Sequence, residues 1–179
     1  MKNEKIKFIT KVGMLSAIAV ILQYLGTVIG LRIGGFLDVE LSDYPAIIAT
    51  LAIGPAAGVL TELIKNLIHL TMSTTGFVGE LANFIVNGVF VLTAGIIYKR
   101  NKTKKGAYKA LSAATLALCA AGILANLFIM LPLYMPGAPL SERINIVITL
   151  ITPFNLVRGA AISAITLLTY KGLSPILHK

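Results

Sequence analysis

Thr61–Asn87 reads TELIKNLIHLTMSTTGFVGELANFIVN. Two apolar segments flank a Ser/Thr/Gly turn, and within them stand Glu62, Lys65, Asn66, His69, Glu80, Asn83 and Asn87. Ionisable and amide groups are costly at membrane depth, so their presence in greasy segments is a functional signal. We read them as part of a polar pocket that opens to one side of a membrane, with the other segments wrapped around it.

The rest of the chain supports a membrane setting. Of its 179 residues 56% are hydrophobic and 13% charged, and mean hydropathy is +0.86. Ordinary globular domains carry roughly twice that charge. The length suits one membrane domain over residues 1–179. The net charge of +9 could suggest nucleic acid, but its placement argues against that partner. Apart from Arg32, Lys65, Arg143 and Arg158, the basic residues flank apolar segments in three patches: Lys2 to Lys11, Lys99 to Lys109, and Lys171 with Lys179. That is topology charge, and it also meets anionic lipid. The apolar run from Val12 is long, and no small-residue cleavage site is followed by a soluble mature domain, so we expect no cleavable signal. Cys119, the single cysteine, lies in an apolar run and reads as a small core residue.

The predicted class is an all-α membrane protein with six transmembrane helices and both termini cytoplasmic. A long outer loop joins helices 1 and 2. Residues 9–30 are the first span, long enough for a ~30 Å hydrocarbon core. Residues 31–44 form the loop, where the alternation Phe36, Leu37, Asp38, Val39, Glu40, Leu41 has strand character. A short segment at 45–53 follows Pro45, which suits a first helical turn, and Gly54-Pro55 breaks it. Residues 55–72, 79–98, 110–131 and 143–171 complete the set, with a basic loop at 99–109. Segments 45–53 and 55–72 could be one kinked helix or two. If all basic patches face the cytoplasm, an odd number of crossings must separate residue 30 from Lys99, which requires two. The short second segment, at ~1.5 Å per residue, covers about half a bilayer. The loop at 31–44 is therefore expected to be a pocket wall or lid, since irregular backbone is tolerated at depth only against protein or a cavity.

In this topology Lys65, Asn66 and His69, Glu80 and Asn83, Asn126, and Asn155 with Arg158 all fall in the outer half. Amides suit a neutral guest rich in hydrogen-bonding groups, because each donates and accepts. Phe36, Leu37, Val39, Leu41, Phe77 and Phe84 could supply apolar walls. Plainer readings stand beside these. Lys65 can pair with Glu62 or Glu80 as readily as meet a ligand. Asn126 can bond a neighbouring helix. His69 reads as a helix-interface group, Asp43 as a helix N-cap, and Ser73 to Gly76 as a turn. Asn155 and Arg158 share one helix face, and an arginine in an apolar helix favours function. Gly13 and Ala17, with Ser16 and Ala19 nearby, form a small-residue spacing that serves packing within the bundle or against another subunit. No HExxH, Gly-x-Ser-x-Gly or Walker A motif is present, and no metal site is expected.

The stretches FLDVELSDYPAIIATLAIGPAAGVLTELIKNLIHL, STTGFVGELANFIVNGVFVL, NLFIMLPLY and TPFNLVRG, taken in order, resemble the riboflavin-specific substrate-binding (S) components of bacterial energy-coupling factor (ECF) transporters. The resemblance covers roughly residues 10–170. It implies a multi-pass subunit of the bacterial cell membrane, not an enzyme, that captures riboflavin from outside as transported ligand and needs no cofactor. It also implies partners: a transmembrane T component and two ATPase subunits, which drive transport since this chain has no nucleotide-binding loop. By motif, Asn126, Asn155 and Arg158 match the flavin-contacting amides and cation, with Lys65, Asn83 and Glu80 as further candidates. Leu37, Val39 and Leu41 match the loop that covers the ring system, and Gly13 and Ala17 the docking motif. Arg158 stands where lysine is usual in the family, and Asp38 where a basic residue is common. Two alternatives remain: an S component for another vitamin or for FMN, and a small intramembrane enzyme using Glu62, His69 and Glu80.

Overall fold

The computed structural model describes residues 2–29, 32–33, 37–38, 41–73 and 76–177. Six helical rods dominate them. The first is α1 (Lys2–Ile29). Two-residue strands β1 (Arg32–Ile33) and β2 (Leu37–Asp38) follow, pairing antiparallel with Arg32 opposite Asp38. Next come α2 (Asp43–Ala52), α3 (Pro55–His69) and α4 (Val78–Arg100). The fifth rod is α5 (Lys104–Ala125), which continues through a π-turn at Asn126–Met130 into α6 (Leu131–Tyr134). The sixth is α7 (Leu140–Ile146), continued by a π-turn at Val147–Ile151 into α8 (Thr152–Leu177).

Four rods are long and apolar enough to cross a membrane: Asn3–Gly26, Val78–Arg100, Lys104–Tyr134 and Leu140–Tyr170. Their outward faces are greasy, with Ile9, Leu116, Phe128, Val157 and Leu168 all more than 60% exposed. In water such a surface would aggregate; in lipid it is the solvated face.

The α2 and α3 segments are two helices, as the charge argument requires. Gly54 between them has φ of 140°, a conformation that favours glycine, and Pro55 opens α3. The pair folds back as an antiparallel hairpin. A Cβ on Gly58 would collide with Thr50 Oγ1 and come within 3.0 Å of the Ala46 carbonyl, so only glycine allows the approach. Gly95 of α4 likewise sits 2.8 Å from Thr50 Cγ2, measured from an ideal Cβ. Helix association in lipid has little hydrophobic drive and relies on such close packing of small residues. Ala46, Ala94, Ala114 and Ala125 fill the same role in the largest core cluster, around Phe90, Leu111 and Leu118.

The basic start of α1, the basic α4–α5 junction and Lys171 of α8 gather at one end of the bundle. Phe8 and Val12 of α1 pack on Ala49, Ile53 and Ala57 near the α2–α3 turn. Tyr98 of α4 meets Tyr170 of α8 with hydroxyls 3.1 Å apart, beside Ala107 and Ala110. The expected loop at 99–109 is shorter than the charge pattern suggested. α4 runs through Arg100 and α5 begins at Lys104, with Thr103 capping the Gly106 amide at 3.1 Å. Charged residues at a helix end continue the helix into the polar interface, which hydropathy alone does not register. For the same reason the fifth rod begins at Lys104, and the last two rods also run on past the expected ends at 131 and 171.

Candidate functional site

At the opposite side of the α2–α3 turn, the start of α2 carries the densest polar cluster. Asp43 lies in the first turn of α2, and its carboxylate joins four helices. Oδ1 accepts from Lys65 Nζ of α3 at 2.7 Å and from Asn87 Nδ2 of α4 at 3.0 Å. Oδ2 pairs with Arg158 Nη2 of α8 at 2.7 Å. The expectation that Asp43 caps α2 is therefore corrected. Ser42 is the N-cap, without a side-chain cap bond, and Asp43 turns inward because two cations from distant helices offer more than backbone amides can.

Lys65 is fully buried. Besides Asp43 it pairs with Glu62 Oε2 at 2.7 Å and donates to Ser42 Oγ at 3.1 Å. Glu62 is thus one of the two partners the sequence allowed. The i, i+3 spacing sets both groups on one face of α3. Asn66 donates to the Glu62 carbonyl at 2.8 Å. Asn83 accepts from Asn87 Nδ2 at 2.9 Å, which ties it to the cluster one step removed. Glu62 Oε1, Asn66 Oδ1 and Asn87 Oδ1 are buried without a hydrogen-bond partner among the described residues. The cluster thus has spare acceptor capacity beside two cationic donors.

One turn away along α8, the two remaining amides both approach Gly122 of α5. Asn155 is 5% exposed, and its Nδ2 lies so close to Gly122 of α5 that a Cβ there would collide. Asn126, 7% exposed, donates from Nδ2 to the Gly122 carbonyl at 2.8 Å. The π-turn that begins at Asn126 shifts the register of the fifth rod locally, and such turns are frequent at functional sites. Arg158 follows Asn155 by three residues, about 4.5 Å of helix rise. Its guanidinium carbon stands 6.0 Å from the Phe154 ring centroid. Asn126 and Asn155 thus both approach Gly122, and Arg158 lies one turn further along α8.

Glu80 belongs to a separate group. Its Oε1 is 2.9 Å from His69 Nδ1, and its Oε2 accepts from Ser73 Oγ at 2.8 Å. Ser73 Oγ also accepts from the Phe77 amide at 3.2 Å, which fixes the turn into α4 with Phe77 at φ of 70°. Glu80 and His69 thus lock a turn, and His69 is the interface group expected of it. Among the expected apolar walls, Leu41 and Phe77 are 49% and 56% exposed and Phe84 is half-buried. Phe36 and Val39 lie outside the described residues, and Leu37 is described only as part of β2. On α1, Gly13 and Ala17 are both exposed, nothing lies within 4 Å of a Cβ built on Gly13, and Ser16 and Ala19 face inward. The small-residue face therefore looks out of the bundle.

Comparison with known proteins places this architecture. The model of the family described as the ECF transporter, substrate-specific component, matches residues 7–170. The chain belongs to that family. It is 34% identical over 177 residues to the riboflavin transporter RibU of Staphylococcus aureus (strain TCH60), covering 97% of this chain and 93% of that one. It is 33% identical over 183 residues to the riboflavin transporter FmnP of Bacillus subtilis (strain 168), covering 98% and 96%. A solved structure described as "Structure and mechanism of the S component of a bacterial ECF transporter" superposes with a TM-score of 0.83 at 33% identity, covering 98% of this chain and 99% of that one. An ECF substrate-specific component is a transporter part and not an enzyme, which sets aside the reading of Glu62, His69 and Glu80 as a catalytic group.

The sequence singled out most of this ECF component's polar residues but not their centre. Glu62 and Asn87 read as part of the polar pocket, whereas Asp43 reads as a helix N-cap. The usable signal was arithmetic: two cations, Lys65 and Arg158, inside apolar helices require carboxylates, and Asp43 stands at the mouth of the neighbouring segment.

Proposed function

We propose that this chain is the riboflavin-binding S component of an ECF importer in a bacterial cell membrane, one domain over residues 1–179. The observation that carries the reading is the convergence of Asn126 and Asn155 on Gly122, with Arg158 one helical turn beyond Asn155, in a chain similar along nearly its whole length to riboflavin transporters. Riboflavin offers a flat ring with a polar edge and a neutral polyol tail. Paired amides match the edge, since each donates and accepts. Arg158 donates to a carbonyl or hydroxyl. Lys65 and Asn83 hold the surrounding polar frame through Asp43 and Asn87. Leu37, Val39 and Leu41 of the outer loop are the proposed cover over the ring, and Glu80 fixes the adjoining turn.

Both termini face the cytoplasm in this reading, and the chain crosses six times. The gathering of the basic patches at one end of the bundle supports that orientation. The exposed Gly13 and Ala17 face of α1 is the proposed contact for the T component, which with two ATPases supplies the power stroke. Mass spectrometry of the small molecules that co-purify tests the ligand. Riboflavin is the expected species; a different vitamin in its place would overturn the assignment.

A further inference from the structure

Two cations, Lys65 and Arg158, would make any nearby pocket attractive to anions. The structure cancels them. Asp43 takes both, at 2.7 Å each, and Glu62 takes Lys65 a second time at 2.7 Å. Among the described residues the formal charges of these four sum to zero. The arrangement is asymmetric: Lys65 and Asp43 side chains are 0% and 2% exposed, whereas Arg158 keeps 12%. Arg158 is thus the less enclosed of the two cations, and a guest that reaches it meets a cation already paired with Asp43.

We propose that Asp43 is a specificity-determining residue, which makes the site favour a neutral flavin over its phosphorylated form. This rests on the riboflavin reading above. A neutral polyol or carbonyl needs one donor from Arg158 and leaves the Asp43 pair intact. A phosphate, carrying about −1.5 to −2 charge, binds arginine strongly only by replacing its carboxylate, and it then stands beside that carboxylate in a medium of low dielectric. Asp43 therefore acts on selectivity through Arg158 and need not touch the ligand.

The test is the ratio of affinities for riboflavin and riboflavin 5′-phosphate, measured on purified protein for wild type, Asp43→Asn, Lys65→Met and the double variant. Asp43→Asn removes one negative charge and keeps the shape; the ratio is expected to move about tenfold or more toward the phosphate. Lys65→Met removes one positive charge and is expected to move it the other way. The double variant returns near the wild-type ratio. A merely structural Asp43 would weaken both ligands alike and leave the ratio still. A ratio unmoved in Asp43→Asn, or moved in the same direction by both single variants, overturns the proposal. If Asp43→Asn does not fold, Lys65→Met alone decides: a shift against the phosphate supports the proposal, and none or the reverse overturns it. Wild-type protein that binds neither flavin removes the proposed function as well, whereas wild-type binding with an unmoved ratio removes only this inference.

Discussion

Lys65 has no exposed surface, yet it carries a charge among helices built for lipid. It persists because three oxygens on two elements, from Ser42, Asp43 and Glu62, surround its ammonium. Removing one partner from a buried pair leaves an uncompensated charge, which costs about 3–5 kcal/mol. Lys65→Ala is accordingly expected to lower the thermal midpoint of the detergent-solubilised protein by several degrees, and Arg100→Ala at the exposed end of α4 to leave it unchanged. Equal midpoints for the two would show that the cluster does not stabilise the fold. Arg158 gives a second prediction at this scale. Arg158→Ala should weaken riboflavin about tenfold or more by removing a charged donor, while Arg158→Lys should lose less, since charge persists and only the fork geometry changes. Titration of flavin fluorescence separates the two; equal losses would mean that charge is not what the site uses. These residues were legible as anomalies because charge in an apolar run stands out. Glu62 was legible as a partner of Lys65, but Asp43 was not, since it meets Lys65, Asn87 and Arg158 across long sequence separations. Locally, Asp-Tyr-Pro looks like a helix start, and nothing nearby reveals the cations that turn the side chain inward.

Among the elements, the α2–α3 hairpin decides the architecture. Gly54-Pro55 announced the break, and the distribution of lysines required that it separate two helices; the hairpin satisfies both. The closeness of the two helices depends on Gly58 against Thr50. Gly58→Ala should therefore destabilise by about 1–3 kcal/mol through overpacking. Thr50→Ala, which removes the hydroxyl in the way, should recover part of that loss in the double variant. Additive losses in thermal unfolding would show that the two positions do not share a contact. Other features of the elements left no trace in the hydropathy pattern. The π-turns at Asn126–Met130 and Val147–Ile151 each lie inside a continuous apolar run, where a one-residue change of register alters neither composition nor length. The strand character read in the outer loop corresponds to the short β1–β2 pairing, whose register places Ile33 opposite Leu37.

For the whole molecule, greasy outer faces, a polar cluster inside and four rods long and apolar enough to cross a membrane suit a membrane-embedded bundle, and the proposed orientation can be tested. In a background lacking Cys119, a cysteine at Asn101 should react with impermeant thiol reagent only from the cytoplasmic side, and one at Ser141 only from outside. Labelling of both from the same side would break the six-span orientation. Family membership and a shared fold establish what kind of transporter part this is; the ligand itself is a matter for binding. The most direct measurement is a fluorescence titration of riboflavin with the purified wild-type protein. Saturable quenching at one flavin per chain, abolished or strongly weakened in Asn155→Leu, is the predicted result. Fluorescence that stays unquenched at protein concentrations well above that of the flavin, in protein stripped of any bound molecule and still folded, would contradict the account.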